Sequence, residues 1–144
     1  MHKSVRGIVK KEDGIILIHR IKKLDTGKIR DYYVFPGGKM EKDESELQTL
    51  ERELFEELGI KVEVEKKFIE YDSEYDDSIQ KFYICKYKSG NFEDANGPEY
   101  TDEKKYKGVF EPVIVKSDDF KKFNIVPEEI KLLVQEEVFD EKKL

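Results

Sequence analysis

The chain has no tryptophan, two methionines, four prolines and a single cysteine, and each scarcity removes a class of explanation. One cysteine, Cys85, rules out an intramolecular disulfide and a cysteine-based zinc cluster. In the alternating run Lys81-Phe82-Tyr83-Ile84-Cys85-Lys86-Tyr87 it reads as a small buried strand residue rather than a nucleophile. No apolar run approaches the ~20 residues that span a bilayer. Met1-His2-Lys3-Ser4 leads into a strand pattern without the apolar stretch of a secretory leader. A cytoplasmic protein with no membrane partner is therefore expected. Positive charge is outnumbered, with 27 Lys and Arg against 33 Asp and Glu and a net charge of −6. That argues against a nucleic-acid polymer as partner, because phosphate-backbone binding depends on clustered cations. Arginine is scarcest among the charged residues, present only as Arg6, Arg20, Arg30 and Arg52.

What is present suffices for one domain, expected over residues 1–144. A chain of 144 residues buries roughly two-thirds of its unfolded surface. Its hydrophobic residues, 38% of the chain against 42% charged, fall in periodic clusters, which is the pattern of a core rather than of disorder. Val5–Val9 and Ile15–Ile18 flank Asp13-Gly14, a hairpin signal. Tyr32 to Phe35 reads as a strand stopped by Pro36-Gly37-Gly38. Glu46 to Leu58 reads as a helix that buries Leu47, Leu50, Leu54 and Leu58 and ends at Gly59. Further strands are predicted at Val62–Tyr71, Phe82–Tyr87 and Val113–Val115, and a second helix with Pro127 at its first position and Ile130, Leu133, Val134 and Val138 on its apolar face. Lys88 to Gly108 has no periodicity, and a patternless segment of that length is usually functional or disordered. The class is mixed α/β (α+β), a largely antiparallel or mixed sheet with helices packed on it.

The chemistry concentrates in Gly38 to Ile60. At about 100° per residue, Glu53, Glu56 and Glu57 share one side of the helix, beside the leucine stripe. Three carboxylates so close repel by a few tenths of a kcal/mol per pair, and the residues that follow at the helix end, Gly59-Ile60, offer no lysine to relieve them. Oxygen ligands of this kind suit hard divalent cations, Mg²⁺ above all. On an acidic protein a glutamate-rich face alone would be an ordinary solvated surface. The rest of the segment changes that reading. Gly38, Glu44, Arg52, Glu53, Leu54, Glu56, Glu57, Gly59 and Ile60 fill the nine fixed positions of G-x5-E-x7-R-E-U-x-E-E-x-G-U, U being a bulky aliphatic. The chain thus resembles the Nudix hydrolase superfamily, and Phe35-Pro36-Gly37 before the motif agrees. Two optional positions depart, Thr49 where alanine is common and Asp43 where glycine is common; both read as neutral.

The resemblance implies an α/β/α sandwich with a mixed, partly antiparallel sheet between helices. It also implies cleavage of a nucleoside diphosphate linked to another moiety, with Mg²⁺ or Mn²⁺ required. By the same resemblance Glu53, Glu56 and Glu57 are the metal ligands, with a carbonyl of Gly38 or Gly37. Arg52 orients the catalytic glutamate, Glu44 fixes the loop–helix junction, and Gly59 closes the motif. A general base is expected among the motif glutamates or in the later loop, where Glu99 in Gly97-Pro98-Glu99-Tyr100 leads Glu93 and Glu103; Glu111 is weaker. Arg20 and Arg30 are candidates for substrate phosphate and Tyr33, next to Tyr32, for stacking on a base. The expected substrate is a small nucleotide, a nucleoside triphosphate or a relative that includes oxidised or non-standard forms, acted on by a monomer or homodimer. Dinucleoside polyphosphates and nucleotide sugars stay open, although Asp72 to Ile79 lacks the proline usual in the ADP-ribose branch and Leu17 to Gly38 matches the coenzyme A motif poorly. A non-catalytic nucleotide-binding module would be expected to lose metal glutamates, and this chain keeps them.

Overall fold

A computed structural model describes residues 2–73, 77–94 and 108–139. Among these residues eight strands form one mixed sheet: β1 (His2–Lys11), β2 (Gly14–Lys23), β3 (Ile29–Val34), β4 (Gly37–Lys39), β5 (Ile60–Ser73), β6 (Ser78–Gly90), β7 (Val109–Lys116) and β8 (Ile125–Val126). Helix α1 (Glu46–Leu58) follows β4, and α2 (Glu128–Val134) follows β8 and continues into a π-helical turn, Gln135–Phe139. The main strand order is β5-β6-β1-β2-β3-β8, with β4 on β1 and β7 on β2. The β1–β6 and β3–β8 pairs are parallel and the rest antiparallel. Among the described residues no helix is long and apolar enough to cross a membrane.

Alternation along β1 and β2 assigns their side chains to two cores, one on each face. Val5, Val9, Ile16 and Ile18 pack with Leu50, Leu54 and Leu58 of α1, whereas Ile8, Ile15 and Leu17 pack with Ile130 and Val134 of α2. The sheet is therefore sandwiched between helices, as the resemblance implies. Cys85 is fully buried among the first group, and burial pushes its thiol up to about 12.

Several local readings change. Gly14 already pairs with Lys11, so the β1–β2 turn is Glu12-Asp13 rather than Asp13-Gly14. Leu47 is 50% exposed although it continues the leucine period. Pro127 caps α2 instead of occupying its first helical position. Strands β5 and β6 are longer than their apolar runs, because charged residues continue both.

One feature of the pairing positions the site. β1 and β2 pair only from Val9–Ile16 to Lys11–Gly14. Beyond that β1 carries β4 through Ser4–Arg6 and β2 carries β3 through Ile18–Lys23, so the two strands part and side chains from both reach the space between.

Candidate active site

Helix α1 is fixed at both ends. Ser45 Oγ accepts the Gln48 amide at 3.1 Å and Gln48 Oε1 accepts the Ser45 amide at 2.9 Å, a reciprocal cap. Gly59, at φ 67, closes the last turn with its N–H on the Phe55 carbonyl. The register of the glutamates is thereby set relative to β4.

Arg52 is the hub of the rim. Its Nε and Nη2 donate to the two oxygens of Glu44 at 2.7 and 3.0 Å, and its Nη1 donates to Glu53 at 2.9 Å and Glu56 at 3.3 Å. Nη2 also reaches the Lys39 carbonyl at 3.1 Å, tying the helix to β4. The repulsion among the helix carboxylates is thus relieved by an arginine from their own helix. Hydrogen bonding to Glu44 raises the Arg52 pKa further above its ordinary value. The same Arg52 bond, with the Glu41 amide and Thr49 Oγ1, lowers Glu44 to about 2. Both optional departures therefore matter. Thr49 is fully buried and bonds Glu44 at 3.0 Å. Asp43 stands at φ 66, in the left-handed region that favours the glycine common there.

Glu57 faces the other way. It is 4% exposed, and its Oε1 accepts the Gly37 N–H at 2.7 Å. Gly37 lies at φ 144 against the Val5 carbonyl, where a Cβ would collide. Arg6 Nη1 holds the same loop, donating to the carbonyls of Phe35 at 3.2 Å and Gly37 at 3.1 Å. At Gly38 a Cβ would stand 2.5 Å from the Glu53 carboxyl carbon, so only glycine leaves that carboxylate room beside the backbone.

A cavity of about 860 Å³ opens where β1 and β2 part. Its lining includes Gly37 and Glu57 at the motif, Arg6, Arg20, Arg30, Tyr32, Tyr71 and Phe110 from the strands, and Glu128 and Glu129 of α2. Cross-strand register sets Phe110, Arg20 and Tyr32 side by side. The Arg20 guanidinium carbon lies 5.1 Å from the Phe110 ring centroid, and that of Arg30 lies 4.1 Å from the Tyr32 centroid. Tyr33 does not line this cavity. Its ring stacks on His19 with centroids 4.4 Å apart and packs against Phe123, and His19 in turn contacts Asp31 at 2.7 Å. Glu93 and Glu111 are exposed, Glu111 opposite His19; Glu99 and Glu103 lie outside the described residues. Arg6 and Tyr32 take the places at the cavity wall that the sequence reading reserved for Tyr33. Their signals were arginine scarcity and the two-residue period of β3.

The donor set is all oxygen, and Gly38 lets the Glu53 carboxylate lie against the backbone, so the residues fit a hard divalent cation. The carboxylates are not gathered around one point. Glu53 and Glu56 are drawn to Arg52 and Glu57 to Gly37, and no group of three or more His, Cys, Asp or Glu side chains among the described residues forms a ready cation cage.

A mixed sheet between helices, with a loop–helix glutamate rim opening on a cavity, is the α/β class of Nudix folds. The chain belongs to the NUDIX domain family, whose model matches residues 1–134. It is 34% identical over 87 residues to a MutT-like protein of Streptomyces ambofaciens, a match covering 60% of this chain and 53% of that one. The match thus spans about half the length of that curated relative. Among solved structures, a NUDIX hydrolase from Nitrosomonas europaea superposes with TM-score 0.70 at 14% identity, over 95% of this chain and 88% of that one. A structure from work on MutT of Aliivibrio salmonicida and Vibrio cholerae gives TM-score 0.66 at 23% identity, over 94% and 97%. Both show likeness of fold.

Proposed function

We propose that the chain is a metal-dependent pyrophosphohydrolase, a single Nudix domain over residues 1–144 that cleaves a diphosphate linkage in a nucleoside triphosphate or related small nucleotide. In this reading it works in the cytoplasm as a monomer or homodimer, and no nucleic-acid polymer is its partner. One observation carries the reading. The motif glutamate Glu57 lines a cavity whose wall also holds three of the chain's four arginines, and the fourth organises the other motif glutamates. A protein of net charge −6 places its few planar cations where an anionic substrate would lie.

Glu53, Glu56 and Glu57, with the carbonyl of Gly38 or Gly37, would hold Mg²⁺ or Mn²⁺. Bound there, the cation supplies positive charge to phosphate oxygens and makes a neighbouring water more acidic. The chain's own residues do the rest. Arg52 holds Glu53 and Glu56 in place, and Glu44 with Thr49 holds Arg52. Gly37, whose carbonyl accepts from Arg6, aims Glu57 through its N–H. Arg20 and Arg30 keep cationic donors at the cavity wall. Glu99 is proposed as the base that takes a proton from the attacking water; Glu99→Gln then lowers kcat more than it raises KM, and an unchanged rate removes it from the site.

The test is a panel of ribo- and deoxynucleoside triphosphates, dinucleoside polyphosphates and nucleotide sugars, assayed for pyrophosphate and phosphate release with and without Mg²⁺ or Mn²⁺. Cation-dependent release of pyrophosphate and a nucleoside monophosphate is expected. No cleavage anywhere in the panel overturns the reading.

A further inference from the structure

We propose that the cavity takes the base of the nucleotide, that it selects bases carrying a ring carbonyl beside a ring N–H, and that Arg20 determines this specificity. The inference rests on the nucleotide reading above and names the substrate class for that site.

Arg20 is 9% exposed, and its Nε has no hydrogen-bond partner among the described residues. A buried charged donor without an acceptor is costly to a fold. Arg20 lines a cavity of about 860 Å³, so its guanidinium, not fully satisfied within the fold, stands where a ligand would bring an acceptor. Its surroundings say which kind. Phe110 and Tyr32 lie on either side of Arg20 in the cross-strand row, and Val34 lines the same cavity. A phosphate would ask for several donors and water. A guanidinium beside the Phe110 ring presents an edge of in-plane N–H donors, matching the in-plane lone pairs of a carbonyl on a flat ring. The motif end of the cavity, with Gly37, Glu57 and Arg6, is left for the phosphates.

Glu128 and Glu129, in the first turn of α2, line the same cavity and bring acceptors. A cationic donor with anionic acceptors complements a carbonyl next to a ring N–H, as in guanine, hypoxanthine, uracil and thymine. Adenine and cytosine present an amino group and a bare ring nitrogen at that edge. They would meet Arg20 donor to donor and the glutamates acceptor to acceptor. A mismatch of this kind at a buried polar group discriminates roughly ten- to a hundredfold.

The experiment is calorimetric titration of the full chain, without divalent metal, with GMP, IMP, UMP, AMP and CMP, so that the readout needs no hydrolysis. The first three are expected to bind about ten- to a hundredfold tighter than the last two. Arg20→Met is expected to bring all five within about threefold, with an unchanged or higher Tm, because it removes an uncompensated buried cation. Arg20→Lys is expected to keep the fold and lose the preference, since an ammonium lacks the planar fork. Equal affinity for all five, no binding of any at millimolar concentration, or a preference that survives Arg20→Met overturns the proposal. So does a fall in Tm in Arg20→Met that Arg20→Lys restores, which would make the residue structural. Should the panel show no hydrolysis while the monophosphate preference persists, the hydrolase reading falls and this one stands. Hydrolysis with no base preference gives the reverse.

Discussion

Replacing Glu57 with glutamine separates what the fold needs from what the chemistry needs. The side chain is 4% exposed and its Oε1 accepts the Gly37 amide at 2.7 Å. Glutamine keeps an oxygen at that place at nearly constant volume, so the bond survives and changes from charge-assisted to neutral. That difference is about 1 kcal/mol, partly offset because a carboxylate no longer has to be desolvated. The expected fall in Tm is about 3 °C or less. Activity answers to the lost charge: if Glu57 holds the cation against the substrate, turnover drops roughly a hundred- to a thousandfold. Paired measurements check this, a thermal melt without metal and Mg²⁺-dependent pyrophosphate release at saturating nucleotide. Wild-type turnover in Glu57→Gln refutes the ligand assignment. A melting temperature lowered by more than about 10 °C refutes the claim that the carboxylate serves chemistry rather than the fold.

Further consequences follow from the rim and its surroundings. Asp43→Gly is expected to raise Tm by about 3 °C, since the position lies at φ 66 and glycine relieves a strain of about 1 kcal/mol; a lower Tm would show that the Asp43 side chain matters more than its backbone. Acid should destabilise the chain in a defined window. Burial opposes the charge of Glu46, but hydrogen bonds from Lys81 at 2.7 Å and Tyr83 overcome it and lower the carboxyl to about 2. Glu44 is lowered to about 2 by Arg52. Both sit below their ordinary 4.5 in the folded chain. Their contribution is therefore whole above about 4.5 and lost as pH falls towards 2. Glu46→Gln should flatten that loss in urea melts taken across the window, and an unaltered pH profile would refute the linkage. Cys85, fully buried with its thiol pushed up to about 12, should react with a thiol reagent only at the rate of unfolding; fast labelling of the native chain would contradict its burial.

Where one physical signal dominated, the sequence was readable. Helix α1 spans the residues its leucine period and terminal glycine indicate, because a capping box at Ser45 and a left-handed Gly59 mark both ends locally. Strand lengths were less readable. β5 and β6 run from Ile60 to Ser73 and from Ser78 to Gly90, well past their apolar cores. Backbone pairing carries lysine and glutamate along a sheet edge as readily as valine, and pairing leaves no mark in composition. Leu47 shows the converse. It has the right spacing yet is 50% exposed, and no period reports whether a packing partner stands opposite. The parting of β1 and β2, which makes the cavity, depends on β1 taking β4 as its partner, as in Ser4 with Lys39, and was beyond any local pattern.

The site divides along the same line. The motif's spacing places the glutamates on one helix, but their partners arise from tertiary packing. Arg52 directly precedes Glu53, yet its shortest donation to a carboxylate goes to Glu44, through a loop geometry that sequence spacing does not encode. Thr49 and Asp43 looked neutral because each acts through position, a buried hydroxyl aimed at Glu44 and a left-handed backbone. The most informative sequence signal was scarcity. In a chain with 27 basic residues of which four are arginine, all four come to the rim or the cavity. Lysine can balance surface charge anywhere, but only a rigid planar fork can bridge several carboxylates or carbonyls, or hold its donors between aromatic rings. Arg52 joins Glu44, Glu53 and Glu56, Arg6 joins the carbonyls of Phe35 and Gly37, and Arg20 and Arg30 lie beside Phe110 and Tyr32. If that geometric demand is what placed them, exchanging each for lysine at constant charge should damage nucleotide handling, whereas exchanging the exposed Lys121 for arginine should leave it unchanged. Full activity in all four lysine variants would show that charge alone was wanted, and the argument from scarcity would fail.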